Sequence, residues 1–304
     1  MKKLLPSVLL LQTLIFSSEL ITPIPTHMDV NGAKVQLGKQ LFFDTRLSKD
    51  DTINCATCHN LQNGGVDGLK VSFGIKGQTG KRNAPTVYNA VFNFRQFWDG
   101  RVKTLQDQAA VPIENPVEMG NNFHDLIKKL NATQYKKEFA KIYKDGITKN
   151  NITDAIQEFE KTLITPNAPF DLYLKGDKNA ISKKAKEGYE LFATKGCIAC
   201  HRGVNIGGNL YNKFGVFQDA NLTDLGRYEI TKRERDKGYF KVPTLRNIAK
   251  TAPYFHDGRT SDLREAVRLM ADYQLGRKFS DEEIAKIIAF LKTLSGKLPK
   301  GIEK

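Results

Sequence analysis

Apolar residues recur at helical spacing in two similar segments. Ile152, Ile156, Phe159 and Leu163 form one stripe, and Ile284, Ile287, Ile288 and Leu291 form the other. Each closes on the same pattern, Phe159-Glu160-Lys161-Thr162-Leu163 and Phe290-Leu291-Lys292-Thr293-Leu294. The same periodicity predicts helices over 123–130, 134–143, 182–194 and 261–271, and no long alternating run predicts a sheet. Thr165-Pro166-Asn167-Ala168-Pro169 stops the helix ending near Ile164, because proline breaks a helix and restricts the residue before it. The apolar run 4–16 is different in kind. It follows Lys2 and Lys3, ends in Ser17-Ser18, and is too short to span a bilayer, so residues 1–18 read as a secretory signal.

Two further blocks repeat in the same order. Gly38-Lys39-Gln40-Leu41-Phe42 is matched by Gly188-Tyr189-Glu190-Leu191-Phe192, 150 residues on. Ala84-Pro85-Thr86-Val87-Tyr88-Asn89 and Phe97-Trp98-Asp99-Gly100-Arg101 are matched 158 residues on by Val242-Pro243-Thr244-Leu245-Arg246-Asn247 and Phe255-His256-Asp257-Gly258-Arg259. Two copies joined by loops of unequal length indicate a duplication rather than a solenoid, which needs three or more repeats. The halves are expected at 19–166 and 167–304.

All four cysteines fall in two copies of one motif, Cys55-Ala56-Thr57-Cys58-His59 and Cys197-Ile198-Ala199-Cys200-His201. Cys-x-x-Cys-His attaches c-type haem. Thiols three positions apart lie on one side of a helical turn and add to the porphyrin vinyl groups, and the adjacent imidazole becomes the proximal iron ligand. A zinc site would use four thiols together and would need no histidine after each pair. The expected fold is therefore mainly α, with two cytochrome c-like domains and one covalent haem c each. With 304 residues, 40% of them hydrophobic and 26% charged, the chain is neither a disordered tail nor a multi-span membrane protein. The net charge of +14 becomes +12 without the signal. No nucleic-acid-binding motif accompanies it. Export places the mature chain in the periplasm.

The second axial position separates electron transfer from catalysis, since a strong ligand closes the iron and a vacancy admits a small molecule. In the second half Met270 follows the Asp-Gly-Arg triplet on the helix expected at 261–271, with Tyr273 as the alternative ligand. The equivalent position in the first half is Pro112, which cannot ligate. Glu118 lies shortly after it, and a carboxylate there could carry a proton between the two oxygens of a peroxide. Met119 could instead close that iron.

Over residues 35 to 298 the chain resembles the bacterial dihaem cytochrome c peroxidases. The likeness is carried by Leu37-Gly38-Lys39-Gln40-Leu41-Phe42-Phe43-Asp44, Arg82-Asn83-Ala84-Pro85-Thr86-Val87-Tyr88-Asn89, Gln96-Phe97-Trp98-Asp99-Gly100-Arg101, Ala168-Pro169-Phe170-Asp171 and Thr251-Ala252-Pro253-Tyr254-Phe255-His256. The resemblance implies reduction of hydrogen peroxide to water with electrons from a small periplasmic donor cytochrome. It makes the haem on His201 and Met270 the high-potential acceptor and the haem on His59 the peroxidatic one. It casts Glu118 as acid/base, Gln108 as a peroxide-positioning residue and Trp98 as an aid to electron transfer between the haems. It also implies a calcium ion held by Asn83, Thr251 and Pro253, and a possible homodimer. Many relatives carry a histidine in the loop between Ser72 and Arg82 that closes the peroxidatic iron until the other haem is reduced; here Ile75 occupies that place, so activity without pre-reduction is expected. Lys76 and His124 are the other candidates to close it. Two rival functions remain open: a dihaem electron-transfer cytochrome without catalysis, and a methylamine-utilisation-type dihaem oxidase, which carries tyrosine in place of Met270.

Overall fold

The computed structural model describes residues 20–302, so the signal expected at 1–18 lies outside the described residues. The first helix, α1 (Gly32–Phe42), is capped by the Asn31 side chain, which accepts from Lys34 N. The first haem motif forms the short helix α2 (Cys55–Cys58), held by reciprocal bonds between Asn54 and Thr57. There follow α3 (Leu105–Glu114), α4 (Phe123–Asn131), α5 (Tyr135–Ile142), α6 (Lys149–Lys161) and α7 (Pro169–Leu174). The second half contributes α8 (Lys183–Thr194), α9 (Tyr228–Thr231), α10 (Leu263–Leu275) and α11 (Asp281–Lys292). Its haem motif is a single 3-10 turn at Cys197–Ala199. The helix expected at 261–271 starts later and runs longer, because Asp262 caps it through Arg264 N and Gly276, in the left-handed region, ends it. One small sheet pairs β1 (Tyr211–Lys213) with β2 (Tyr239–Lys241), two three-residue strands too short to leave an alternating signature. No described helix is long and apolar enough to cross a membrane.

The duplication is visible in three dimensions. α1 crosses α6 at Gly38, where a Cβ would sit 1.8 Å from the Ala155 carbonyl oxygen. α8 crosses α11 at Gly188, where a Cβ would sit 1.9 Å from the Lys286 oxygen. At both crossings only glycine lets the backbones approach this closely. Asn89 and Asn247 share one left-handed conformation (φ 61°, ψ 13°), and Phe97 and Phe255 follow suit at φ 67° and 72°.

The halves meet around Thr165, which is fully buried. Its hydroxyl accepts from Nδ2 of both Asn89 (2.8 Å) and Asn247 (3.0 Å). Asn89 Oδ1 accepts from Thr165 N, and Asn247 Oδ1 accepts from Gly296 N, the position 131 residues on. A pseudo-twofold axis therefore passes close to this hydroxyl. Leu41, Ile113, Phe139 and Ile152 belong to the first core, and Phe170, Phe192, Ile284 and Phe290 to the second. The chain ends cross over: Ile21 packs in the second core, whereas Ile302 packs with Phe42 in the first half. Arg246 and Asp171, both fully buried, pair at 2.6 Å, and Arg246 also donates to the carbonyls of Val204 and Thr22. Those extra bonds satisfy the guanidinium that burial would otherwise leave expensive.

Candidate active site: two cavities sharing one tryptophan

Each haem motif opens on its own cavity. The second, of about 240 Å³, is lined by Cys197, Cys200 and His201 and, from α10, by Met270. Tyr273, the alternative ligand, does not line it; it packs beside Phe214 instead. His201 Nδ1 lies 3.3 Å from the Ile206 carbonyl. With Nδ1–H donating there, Nε2 keeps its lone pair for a metal. Burial drives His201 down to about 4, so the imidazole is neutral. No disulfide joins the four cysteines, and burial pushes the Cys58 and Cys197 thiols up to about 11. Paired thiols beside a ligand-ready imidazole suit covalent haem in both halves.

The first cavity, of about 780 Å³, repeats this arrangement with Cys55, Cys58 and His59, whose Nδ1 lies 3.3 Å from the Gly65 carbonyl. Its further lining is unlike that of the second. α3 presents Gln108 and Pro112, and the loop after α3 presents Glu118. That loop folds back on the helix end, with Met119 N donating to Pro112 O and Glu118 N to Asn115 O. Asn115 Nδ2 donates to Glu118 Oε1 at 2.7 Å. Burial raises the Glu118 carboxyl above its ordinary value, while the Asn115 hydrogen bond and the Arg101 charge oppose the rise.

Ile75 turns away from this cavity. Its amide donates to Glu118 O at 2.9 Å, and its Cδ1 sits where a Cβ on Gly120 would be, 2.3 Å away. The residue is 5% exposed and seals the back of the Glu118 loop. Lys76 and His124 are exposed and line neither cavity. Met119 touches the cavity wall but is 4% exposed and packs in the first core.

Trp98 lines both cavities. Its Nε1 donates to Asn83 O at 2.9 Å, and its ring meets His256, its counterpart in the repeat, edge-on at 6.2 Å. The axis relates their backbones too: Asn83 N donates to His256 O and Lys241 N to Trp98 O, both at 2.7 Å. Asn83 borders both cavities, and Thr251 and Pro253 border the second. Asn83 Nδ2 is turned to the Leu69 carbonyl, and no described residue hydrogen-bonds its Oδ1. Neutral oxygens of this kind suit calcium. No cluster of three acidic, histidine or cysteine side chains among the described residues could hold an ion. Arg82 joins the halves by pairing with both Asp99 and Asp224 at 2.5 Å.

Two lining residues escape a reading of the sequence. Glu160 reaches the first cavity from α6, 5% exposed, with no hydrogen bond to Oε2, and burial pushes it up to about 8. It lies four positions after Ile156, an acid within an apolar stripe, which was its one visible sign. Lys241 reaches the second cavity from β2 and is 6% exposed.

Two helical cytochrome-type halves, each with a Cys-x-x-Cys-His motif at a cavity, define a dihaem c-type cytochrome. Comparison with known proteins narrows this. The family description "Di-haem cytochrome c peroxidase" matches residues 32–179, and "Cytochrome c" matches residues 185–295. The chain is 49% identical over 286 residues to the cytochrome c peroxidase Ccp of Escherichia coli K12, covering 92% of this chain and 62% of that protein. It is 48% identical to the cytochrome c551 peroxidase of Nitrosomonas europaea, covering 93% of this chain and 86% of that one. Among solved structures, a MauG-like protein associated with microbial copper homeostasis superposes with a TM-score of 0.80 at 26% identity, covering 93% and 95% of the two chains. The chain belongs to the bacterial dihaem cytochrome c peroxidases.

Proposed function

We propose that this chain is a periplasmic peroxidase that reduces hydrogen peroxide to two waters, consuming two electrons from a small donor cytochrome and two protons. The observation that carries the reading is the contrast between the cavities: Met270 faces the second, whereas its equivalent Pro112 and the carboxylate of Glu118 face the first. His201 and Met270 would hold the second haem, and His59 alone the first. When bound, the haems supply the redox chemistry and, in the first half, an open iron position for peroxide.

The chain's own residues handle the proton. Glu118 as carboxylate takes it from one peroxide oxygen and returns it to the other, which leaves as water. Asn115 occupies Oε1 and so leaves Oε2 for the substrate. Gln108, on α3, donates a hydrogen bond that orients the peroxide. Trp98, bordering both cavities, bridges the two haem sites. Asn83, Thr251 and Pro253 supply oxygens to a calcium ion that steadies this junction. Because Ile75 cannot ligate and is committed to the Gly120 contact, the oxidised protein is active without pre-reduction.

The test is a peroxide assay with reduced donor cytochrome, begun from fully oxidised protein. Immediate turnover supports the reading, and activity that appears only after pre-reduction contradicts the role given to Ile75. Cyanide that fails to bind the oxidised protein would favour a pure electron carrier. Met270→Ala should abolish a methionine-ligated spectrum; an unchanged spectrum would favour the methylamine-utilisation type.

A further inference from the structure

The second cavity is mostly apolar, and its wall holds a single side chain charged at neutral pH, Lys241. No arginine, aspartate or glutamate shares that wall. The residue is 6% exposed and makes no ion pair with any described acid. Its backbone is fixed by the bond from its amide to Trp98 O, which anchors the side chain to the cavity wall. A lone ammonium in such surroundings is costly unless an anion meets it. Burial alone pulls Lys241 down to about 8, with no acid to offset it.

We propose that Lys241 binds a carboxylate of the haem held by Cys197, Cys200 and His201, and by that positive charge raises the reduction potential of this haem. The inference rests on reading the second cavity as a haem site. Haem c carries two carboxylates, and one placed in this wall meets no other cationic side chain there. An ammonium donates up to three hydrogen bonds, enough to hold both oxygens of one carboxylate. A fixed cation stabilises the state that has gained an electron, so the charge acts in the same direction as methionine ligation.

The repeat makes the assignment asymmetric. Lys241 stands 158 residues after Asn83, and the two amides make equivalent bonds across the axis. The first half therefore has a neutral side chain where the second has a cation. Of the cations bordering the first cavity, Arg82 and Arg101 both pair with Asp99, and Lys81 is exposed to solvent. Lys241 is thus a positioning and tuning residue that makes the second site the better electron acceptor.

The experiment is a spectroelectrochemical titration of the full haem-loaded protein, following each haem separately. Lys241→Met should shift the second haem's midpoint potential downward and leave its methionine-ligated spectrum intact, and Lys241→Arg should keep the wild-type potential. A Lys241→Met protein with both haems attached and an unmoved midpoint overturns the proposal, as does a Lys241→Arg protein as low as the methionine variant. If Lys241→Met fails to take up its second haem, Lys241→Gln carries the same test. A wild-type protein without haem on Cys197 and Cys200 would instead refute the reading of the cavity itself.

Discussion

Glu118→Gln isolates proton transfer from shape. Glutamine keeps an oxygen where Asn115 Nδ2 now donates at 2.7 Å, and the backbone bond from Ile75 N to residue 118 is untouched. What is lost is a group that can accept and return a proton. A positioned acid/base contributes about 10²–10⁴-fold, equivalent to about 3–5 kcal/mol on the barrier. The variant should therefore retain its absorption spectrum and lose two to four orders of magnitude in kcat/KM for peroxide, measured with reduced donor cytochrome. The pH profile adds a second check. Burial raises the Glu118 carboxyl, and the working form is the carboxylate, so activity falls as pH drops through that raised value. Asn115→Ala removes a bond that favours the charged form, so its acidic limb should move to higher pH. Glu118→Gln should lack the limb altogether. Activity within threefold of wild type, or a limb that survives in the variant, would refute the role.

Three further outcomes follow from the packing. Glu160 has its proton affinity raised by burial to about 8, so the native state holds a proton that the unfolded state releases. Its contribution is complete below about pH 4.5 and is lost as pH rises toward 8, a total of about 5 kcal/mol. Glu160→Gln should abolish that slope, so its advantage in thermal unfolding over wild type should grow with pH and vanish near pH 4; a gap that ignores pH sinks the idea. Gly38→Ala and Gly188→Ala would force a methyl group to within 1.9 Å of a backbone oxygen at both helix crossings. Each should destabilise by about 1–3 kcal/mol or more, to a similar degree; a large effect at one and none at the other would contradict equivalent halves. Thr165→Val leaves two buried amide groups without their acceptor, at about 1–3 kcal/mol each, whereas Thr165→Ser should retain most of the stability in the same melts.

The contrast between local and distant information explains what could be read before folding. Haem attachment was legible because its chemistry needs two thiols and an imidazole within five consecutive residues. The duplication was legible because both copies keep the same blocks in order, and the paired helices because their stripes repeat every three or four residues. Helix ends were less so: α10 begins at the Asp262 cap and ends at Gly276, not at the edges of its apolar stripe. The paired strands are too brief for any period to register.

Orientation was beyond the sequence, since it depends on partners far along the chain. Only the folded chain turns Ile75 onto Gly120 and away from the cavity, and only it brings Met270 but not Tyr273 to the second cavity. The same holds for the charged side chains. Lys241 looks like an ordinary residue of a charged surface, and Glu160 shows only as an acid within an apolar stripe, until the packing of β2 and α6 buries them in cavity walls. Residue types and short spacings therefore determined which chemistry this protein can hold, because covalent attachment and helical period are local properties. Tertiary structure decided which side chains face that chemistry, because burial and the loss of water around a charge arise only when distant segments close over it.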